Sequence, residues 1–207
     1  MATPALQLVP AQLENSEAAP RAPAQAWSHA QLCGRLTELS SPRAGAPLTF
    51  AMGLVLEAQL AGETAAWIGP RSASFFPPDA EASGVDLAAL AVVRLEAAQE
   101  MGRAADQLLR SGAFGLVVVE LGEAALPAPL LTRLMGLAQK YGAAVLFLTH
   151  KPSEAPSLSS LVSLRAEVSR TRRAEGHFVC ELRALKDKRR APGWTHQEEC
   201  CGPAGLR

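Results

Sequence analysis

From Arg35 to His150 the chain alternates short apolar runs with stretches of helical periodicity. That alternation constrains its fold more than any other feature. RLTELS, TAAWIG, LAVVR, GLVVVELG and AAVLFLTH read as strands. TAAWIG and GLVVVELG are apolar almost throughout, as strands buried on both faces of a parallel sheet must be. Between them, LTFAMGLVLEAQLAG places Met52, Val55, Leu56 and Leu60 on one face of a helix that Gly62 ends. EAAQEMGRAADQLLRSG sets Ala97, Met101, Ala104 and Leu108 against Glu100, Arg103 and Gln107. PAPLLTRLMGLAQKYG opens on a proline and has Gly142 just past its end. Strands and helices alternating at this spacing predict an α/β fold, a mostly parallel central sheet flanked by helices.

After residue 150 the period changes. LVSLRAEVSR and HFVCELRALK have period-two character and are joined by the polar run TRRAEG, which predicts antiparallel strands added at the C-terminal side of the sheet. Residues 70–82, with Phe75-Phe76-Pro77-Pro78, read as a loop whose aromatics either pack beneath it or face a partner. Residues 1–33, rich in Ala and Pro, read as a flexible N-terminal arm, with a short helix near Ala11 as its one candidate element. The domain is expected over 34–188. Residues 189–207 carry Pro192, Gly193, Gly202, Pro203 and Gly205 and read as a tail unable to extend the sheet.

A chain of 207 residues is long enough to bury one core. Net charge is zero, so composition announces no nucleic-acid partner, and weak or no direct DNA binding is expected. Charge is uneven, however: Arg165–Arg190 holds nine Lys/Arg against four Asp/Glu. The start MATPALQLVP has neither a basic segment nor a long apolar one, and no apolar run reaches membrane length, so a cytoplasmic protein off the membrane is expected. Cys33, Cys180, Cys200 and Cys201 form no CxxC pair and read as free thiols. His196 with Cys200 and Cys201 offers adjacent thiols that suit tetrahedral zinc poorly, so no metal is expected. No arrangement of nucleophile and base stands out, and no catalytic residue is assigned.

The loop after the first strand is where a parallel α/β sheet holds phosphate, using backbone N–H groups and a helix N-terminus. A working loop reads GxxxxGK[ST], in which Lys neutralises the outer phosphates and the hydroxyl holds Mg²⁺. Here it reads Ser41-Pro42-Arg43-Ala44-Gly45-Ala46-Pro47-Leu48. Pro47 stands at the lysine position, Leu48 at the hydroxyl position, and Pro47 also deletes a backbone donor. No nucleotide cofactor and no ATPase activity are expected.

In order along the chain, these segments resemble the RecA core domain. RLTELSSPRAGAPLTFAMGLVLEAQLAGETAAWIG is similar to its phosphate-loop unit. LLRSGAFGLVVVELG is similar to the strand bearing its metal-linked acidic motif, which puts a vestigial Glu120 there. VLFLTH is similar to the strand ending in a phosphate-sensing Gln, which puts His150 there. SLRAEVSR and ELRALKDKRRAPGW resemble the next two strands, and Lys186 and Lys188 match lysines that reach a neighbouring subunit's nucleotide in RecA filaments. The resemblance covers about residues 35–194 and leaves no room for RecA's C-terminal domain. Among degenerate RecA-like chains of this size, SGVDLAALAVVR followed by LLRSGAFG is most similar to ImuA.

That resemblance implies a non-catalytic adaptor of SOS-type mutagenic translesion synthesis. Its partners would be RecA, an ImuB-type Y-family polymerase homologue and, indirectly, an error-prone C-family polymerase. Two alternatives stay open: a SulA-like division inhibitor binding a tubulin-like GTPase, and a weak ATPase using Arg43 in place of lysine. Glu120 and His150 read either as relics of nucleotide chemistry or as polar strand ends. The basic stretch reads as a solvated edge, a DNA contact or a protein contact; Lys186, Lys188, Arg189, Arg190 and Trp194 are the candidate partner-binding residues.

Overall fold

The computed structural model describes residues 27–42, 46–72, 75, 77–174 and 177–201. In chain order the elements are α1 (His29–Leu32), β1 (Arg35–Ser41), α2 (Ala46–Leu60), β2 (Ala65–Gly69), α3 (Pro77–Ala82), β3 (Leu90–Arg94), α4 (Ala98–Ser111), β4 (Leu116–Gly122), α5 (Ala128–Tyr141), β5 (Ala144–His150), β6 (Leu164–Ala174), β7 (His177–Asp187) and β8 (Thr195–Cys201). They build one eight-stranded sheet of order β3-β2-β4-β5-β1-β6-β7-β8. The first six strands of that order run parallel, and β7 and β8 add antiparallel. This is the expected architecture, a mostly parallel sheet flanked by helices with antiparallel strands at its C-terminal side.

Two apolar layers sandwich the sheet. On one side α2 packs on Leu39, Trp67, Val118, Leu146 and Leu164. On the other, α4 and α5 cover Leu36, Ile68, Val117, Val145 and Phe147. The strands are buried on both faces, which is why they read as apolar runs without alternation. The helix faces are rotated slightly from the expected ones. In α2 the buried residues are Phe50, Ala51, Leu54, Val55 and Ala58, whereas Leu60 is 80% exposed. In α4 they are Met101, Ala105 and Leu109, with Ala104 and Leu108 at the margin. Apolar residues lie all round α2, so packing sets its rotation. Gly142, at φ 67°, ends α5 as expected.

Three expectations need correction. Residues 189–207 were expected to be a tail, but Thr195–Cys201 pair with His177–Arg183 as β8. Pro192 and Gly193 form the return that makes this possible. Gly193, at φ 96°, donates its N–H to the Ala184 carbonyl, and the Ala184 N–H donates to Trp194. The second concerns the arm: Trp27, His29 and Leu32 are buried, so the fold begins several residues before Arg35. The proposed helix near Ala11 lies outside the described residues. Third, the 70–82 loop contains α3, which starts on Pro77 and Pro78, where a missing N–H costs a helix nothing. Phe75 packs under that loop against Trp67, with ring centroids 5.3 Å apart.

Candidate functional site

A cleft of about 230 Å³ opens at the C-terminal ends of the parallel strands. Its floor is the end of β4 (Glu120, Leu121, Gly122) and of β5 (Leu148, Thr149, His150). Its walls are the start of α2 (Pro47, Leu48), Pro70 after β2, Glu96 after β3 and the start of α4 (Ala98, Met101). Pro47, Leu48, Glu120 and His150 are thereby brought together from three separate stretches of sequence. Ser41 is buried at the end of β1 and Pro42 is exposed; Arg43 and Gly45 lie outside the described residues.

The chemistry of the lining disfavours an anion. Pro47 sits in the first turn of α2, where its ring suits the helix but offers no donor to the cleft. Leu48 contributes hydrocarbon to the wall. The charged groups of the described lining are the carboxylates of Glu96 and Glu120, without a lysine or arginine. A polyphosphate here would meet like charge and a thinned set of N–H groups. Glu120 accepts the indole N–H of Trp67 at 2.5 Å, so this carboxylate helps to fix a core tryptophan. His150 is exposed at the mouth.

The basic stretch is not one surface. Arg165 is buried, donating to the Ser40 hydroxyl and to the carbonyls of Pro152 and Ala155. It belongs to a polar layer that pins segment 151–163 to β1 and β6. In the same layer Lys151 reaches Glu38 at 2.5 Å, and Thr149 and the Leu158 N–H also donate to Glu38, whose side chain is fully buried. Nearby Glu167 takes the Ser153 hydroxyl and the Arg183 guanidinium, which together hold its carboxyl below the usual range. Sequence reasoning missed this layer, because Glu38 and Arg165 carry no mark that separates a buried charge from a solvated one.

The remaining cations divide between two poles. Arg170, Arg172 and Arg173 lie on the outer part of the β6–β7 hairpin, at the same end as the cleft. Lys186, Lys188, Arg189 and Arg190 lie at the opposite end, beside the start of β1. There the Lys188 N–H donates to Ser163, and Arg189 donates to the carbonyls of Gln31 and Cys33. Arg190 reaches the Gln31 side chain at 3.3 Å. Lys186 is half-buried near the Ser160 carbonyl, and burial together with Lys188 pushes its ammonium pKa down despite Glu38. Trp194, expected in a tail, is half-buried against the larger core and donates its indole N–H to Asp187 at 3.1 Å. No group of three metal-ligating side chains occurs among the described residues. Nor, among them, is any helix long and apolar enough to cross a membrane.

Sheet order, crossover layout and the position of the cleft define a RecA-like core. Comparison with known proteins agrees. The chain is 37% identical over 94 residues to the RecA protein of Rubrobacter xylanophilus, covering 45% of this chain and 27% of that one. It is 37% identical over 87 residues to RecA of Corynebacterium jeikeium, 42% and 23% of the two chains, and 34% identical over 103 residues to RecA of Rhodospirillum centenum, 50% and 28%. No family model matches. The matches span about a quarter of the length of these relatives. The chain thus shares distant, partial homology with RecA proteins, on a fold that matches a RecA-like core.

Proposed function

We propose that this chain is a non-catalytic accessory factor of SOS-type mutagenic translesion synthesis, using a RecA-like surface to bind RecA and an ImuB-type partner. The observation that carries the reading is the cleft. At the place where a RecA-like core takes phosphates, Pro47, Leu48, Glu96 and Glu120 supply a wall of hydrocarbon and negative charge. A core that keeps the shape but not the chemistry suits docking. In this reading Lys186 and Lys188, at the pole away from the cleft, approach the nucleotide site of a RecA protomer stacked below. Arg189 and Arg190 flank them. Trp194 serves the fold through Asp187, so docking is assigned to the four cations.

Isothermal titration with Mg-ATP tests the first half: no saturable heat in the micromolar range is expected. Micromolar binding that disappears in Glu120→Ala would overturn the reading and favour the weak ATPase. Pull-downs against RecA, an ImuB-type protein and a tubulin-like division GTPase test the second half. Capture of the division GTPase alone would favour the SulA-like alternative.

A further inference from the structure

Strand β8 ends the sheet, and among the described residues it pairs on one side alone, with His177–Arg183. Its outer edge presents alternate backbone N–H and C=O groups along seven residues, about 23 Å at about 3.3 Å per residue. Edges of this kind are commonly blunted by lysine, proline or a bulge. THQEECC contains no lysine and no proline, and its register against β7 is unbroken. The strand is also firmly held. The Gly193 and Ala184 amides close the return that leads into it, and Trp194 is tied to Asp187 at 3.1 Å. His196 packs on Phe50 with ring centroids 5.9 Å apart. A partner meets a template that is already formed, so little ordering cost falls on this side of the contact.

The opposite edge of the sheet, β3, is five residues long and carries Arg94 as its one charge. The β8 edge differs, with two adjacent carboxylates, Glu198 and Glu199. Successive side chains alternate between the faces of a strand. Glu198 therefore lies half-buried on the core side with His196 and Cys200, and Glu199 lies exposed on the other side with Gln197. Glu198 meets His196 at 3.1 Å, and no lysine or arginine pairs with either carboxylate among the described residues. Glu181 adds a third carboxylate beside Gln197, whose amide donates to it at 2.5 Å.

These charges decide what can add to the edge. Glu198 is the middle residue of Thr195–Cys201. A second copy paired over the whole strand by a two-fold axis would place Glu198 opposite the same residue, like charge directly across the new ladder. An extended segment with two successive basic residues instead meets Glu198 on one face and Glu199 on the other. It gains two opposite-charge cross-strand pairs beside the ladder bonds.

We propose that β8 is a strand-addition site, at which an extended segment of a partner protein, bearing successive lysines or arginines, pairs with the outer edge and continues the eight-stranded sheet. The surface is not the Lys186–Arg190 cluster, and the proposal does not rest on the docking role given to those cations.

The probe is a capped seven-residue peptide of Thr and Val with Lys-Arg at its centre, titrated with the whole chain and followed by fluorescence anisotropy. Saturable binding that weakens with salt is expected. Hydrogen exchange at alternate amides of Thr195–Cys201 should slow when the peptide is bound. Glu198→Gln with Glu199→Gln, its folding checked by circular dichroism, should weaken binding at least tenfold. The same peptide N-methylated along its backbone keeps its charge but loses its ladder donors, and should also bind at least tenfold more weakly. Equal binding of the methylated peptide, or of one with Glu-Glu at its centre, overturns the proposal. So does a cationic peptide that fails to bind, binding untouched by the double variant, or exchange at β8 that the peptide does not change. Protection of the β8 amides in a dimer formed without peptide assigns the edge to a second copy and also overturns it.

Discussion

Asp187 and Arg35, 152 positions apart in sequence, meet at 2.6 Å with side chains 1% and 4% exposed. The pair ties the end of β7 to the start of β1 across β6. Around it, Arg35 donates to the Ser163 hydroxyl and carbonyl, while Asp187 also accepts the Arg189 N–H and the Trp194 indole. Burial works to raise the Asp187 carboxyl, but these donors overcome it and leave it below its ordinary value. The same burial pulls the Arg35 guanidinium down, opposed by Asp187. One closed network therefore fixes where the antiparallel strands join the parallel sheet.

Removing one partner should be costly. Asp187→Ala strands a buried guanidinium and should cost about 3–5 kcal/mol in urea unfolding. Replacing both residues by apolar ones, Arg35→Met with Asp187→Leu, should recover much of that loss. The pH dependence follows from the direction of the shift. A carboxyl whose folded pKa lies below its unfolded value of about 3.9 stabilises the fold above that value. The contribution disappears as pH falls through the lower, folded value. Below about pH 4 the wild type should lose stability more steeply than Asp187→Asn, measured by melting temperature against pH.

Asp106 makes the corresponding clamp between α4 and α5. It receives Arg133 through two bonds at 2.6 and 2.5 Å and Arg110 at 3.0 Å, with its own side chain 6% exposed. The Arg133 bonds, foremost, hold its carboxyl below the usual range against burial. Asp106→Ala should cost about 1–3 kcal/mol, because the helix interface loses its polar anchor. Arg110→Ala, removing a half-exposed partner, should cost less than about 1 kcal/mol. Equal losses in chemical denaturation would show that Arg110, not Arg133, carries the clamp.

The parallel core was legible because its strands are buried on both faces, and burial leaves a mark that composition alone can show. Trp67 and Phe147 lie in such runs, and both are fully buried. Pro47 and Leu48, singled out in the loop after the first strand, do come to the cleft at the strand ends, as a loop in that position must. What escaped is held by the ladder or by isolated contacts. THQEECC has no apolar alternation, and becomes a strand because β7 offers an open edge and Pro192-Gly193 turns the chain back to it. Trp27 sits in an Ala/Pro-rich stretch, yet its ring meets Phe50 edge-on at 6.3 Å, and Phe50 in turn packs on His196 of β8. A pattern reader sees neither partner. The two poles of the basic stretch were invisible for a similar reason: β6 and β7 run in opposite directions, so neighbours in sequence part in space.

Truncation after Lys188 now carries the opposite expectation from that of a tail. It removes β8, deprives Asp187 of its indole donor and uncovers Cys180 and Leu182, both fully buried. Loss of a ladder and of that cover should cost several kcal/mol, lowering the melting temperature by about 10 °C or more in a chain of this size. A truncated chain melting within about 2 °C of the full one would return β8 to the status of a tail.

Lys186 and Lys188 are two positions apart but differ in setting. Lys188 is exposed, and its side chain has no partner among the described residues, whereas Lys186 is half-buried with its charge disfavoured by burial. For Lys186 the folded pKa lies below the unfolded value, so the charge opposes folding at neutral pH. That penalty is relieved only as pH rises through the folded value toward about 10.4. Lys186→Met keeps the hydrocarbon stem and removes the charge, and should stabilise the fold by about 0.5–1 kcal/mol. Lys188→Met should leave stability unchanged within about 0.5 kcal/mol. If these lysines dock RecA, both substitutions should weaken that binding, measured by surface plasmon resonance. Lys186→Met would then gain stability while losing affinity, which is the signature of a charge kept for a partner and not for the fold. A Lys186→Met chain that is more stable and binds RecA as well as the wild type would remove Lys186 from the docking surface and leave Lys188, Arg189 and Arg190 to carry it.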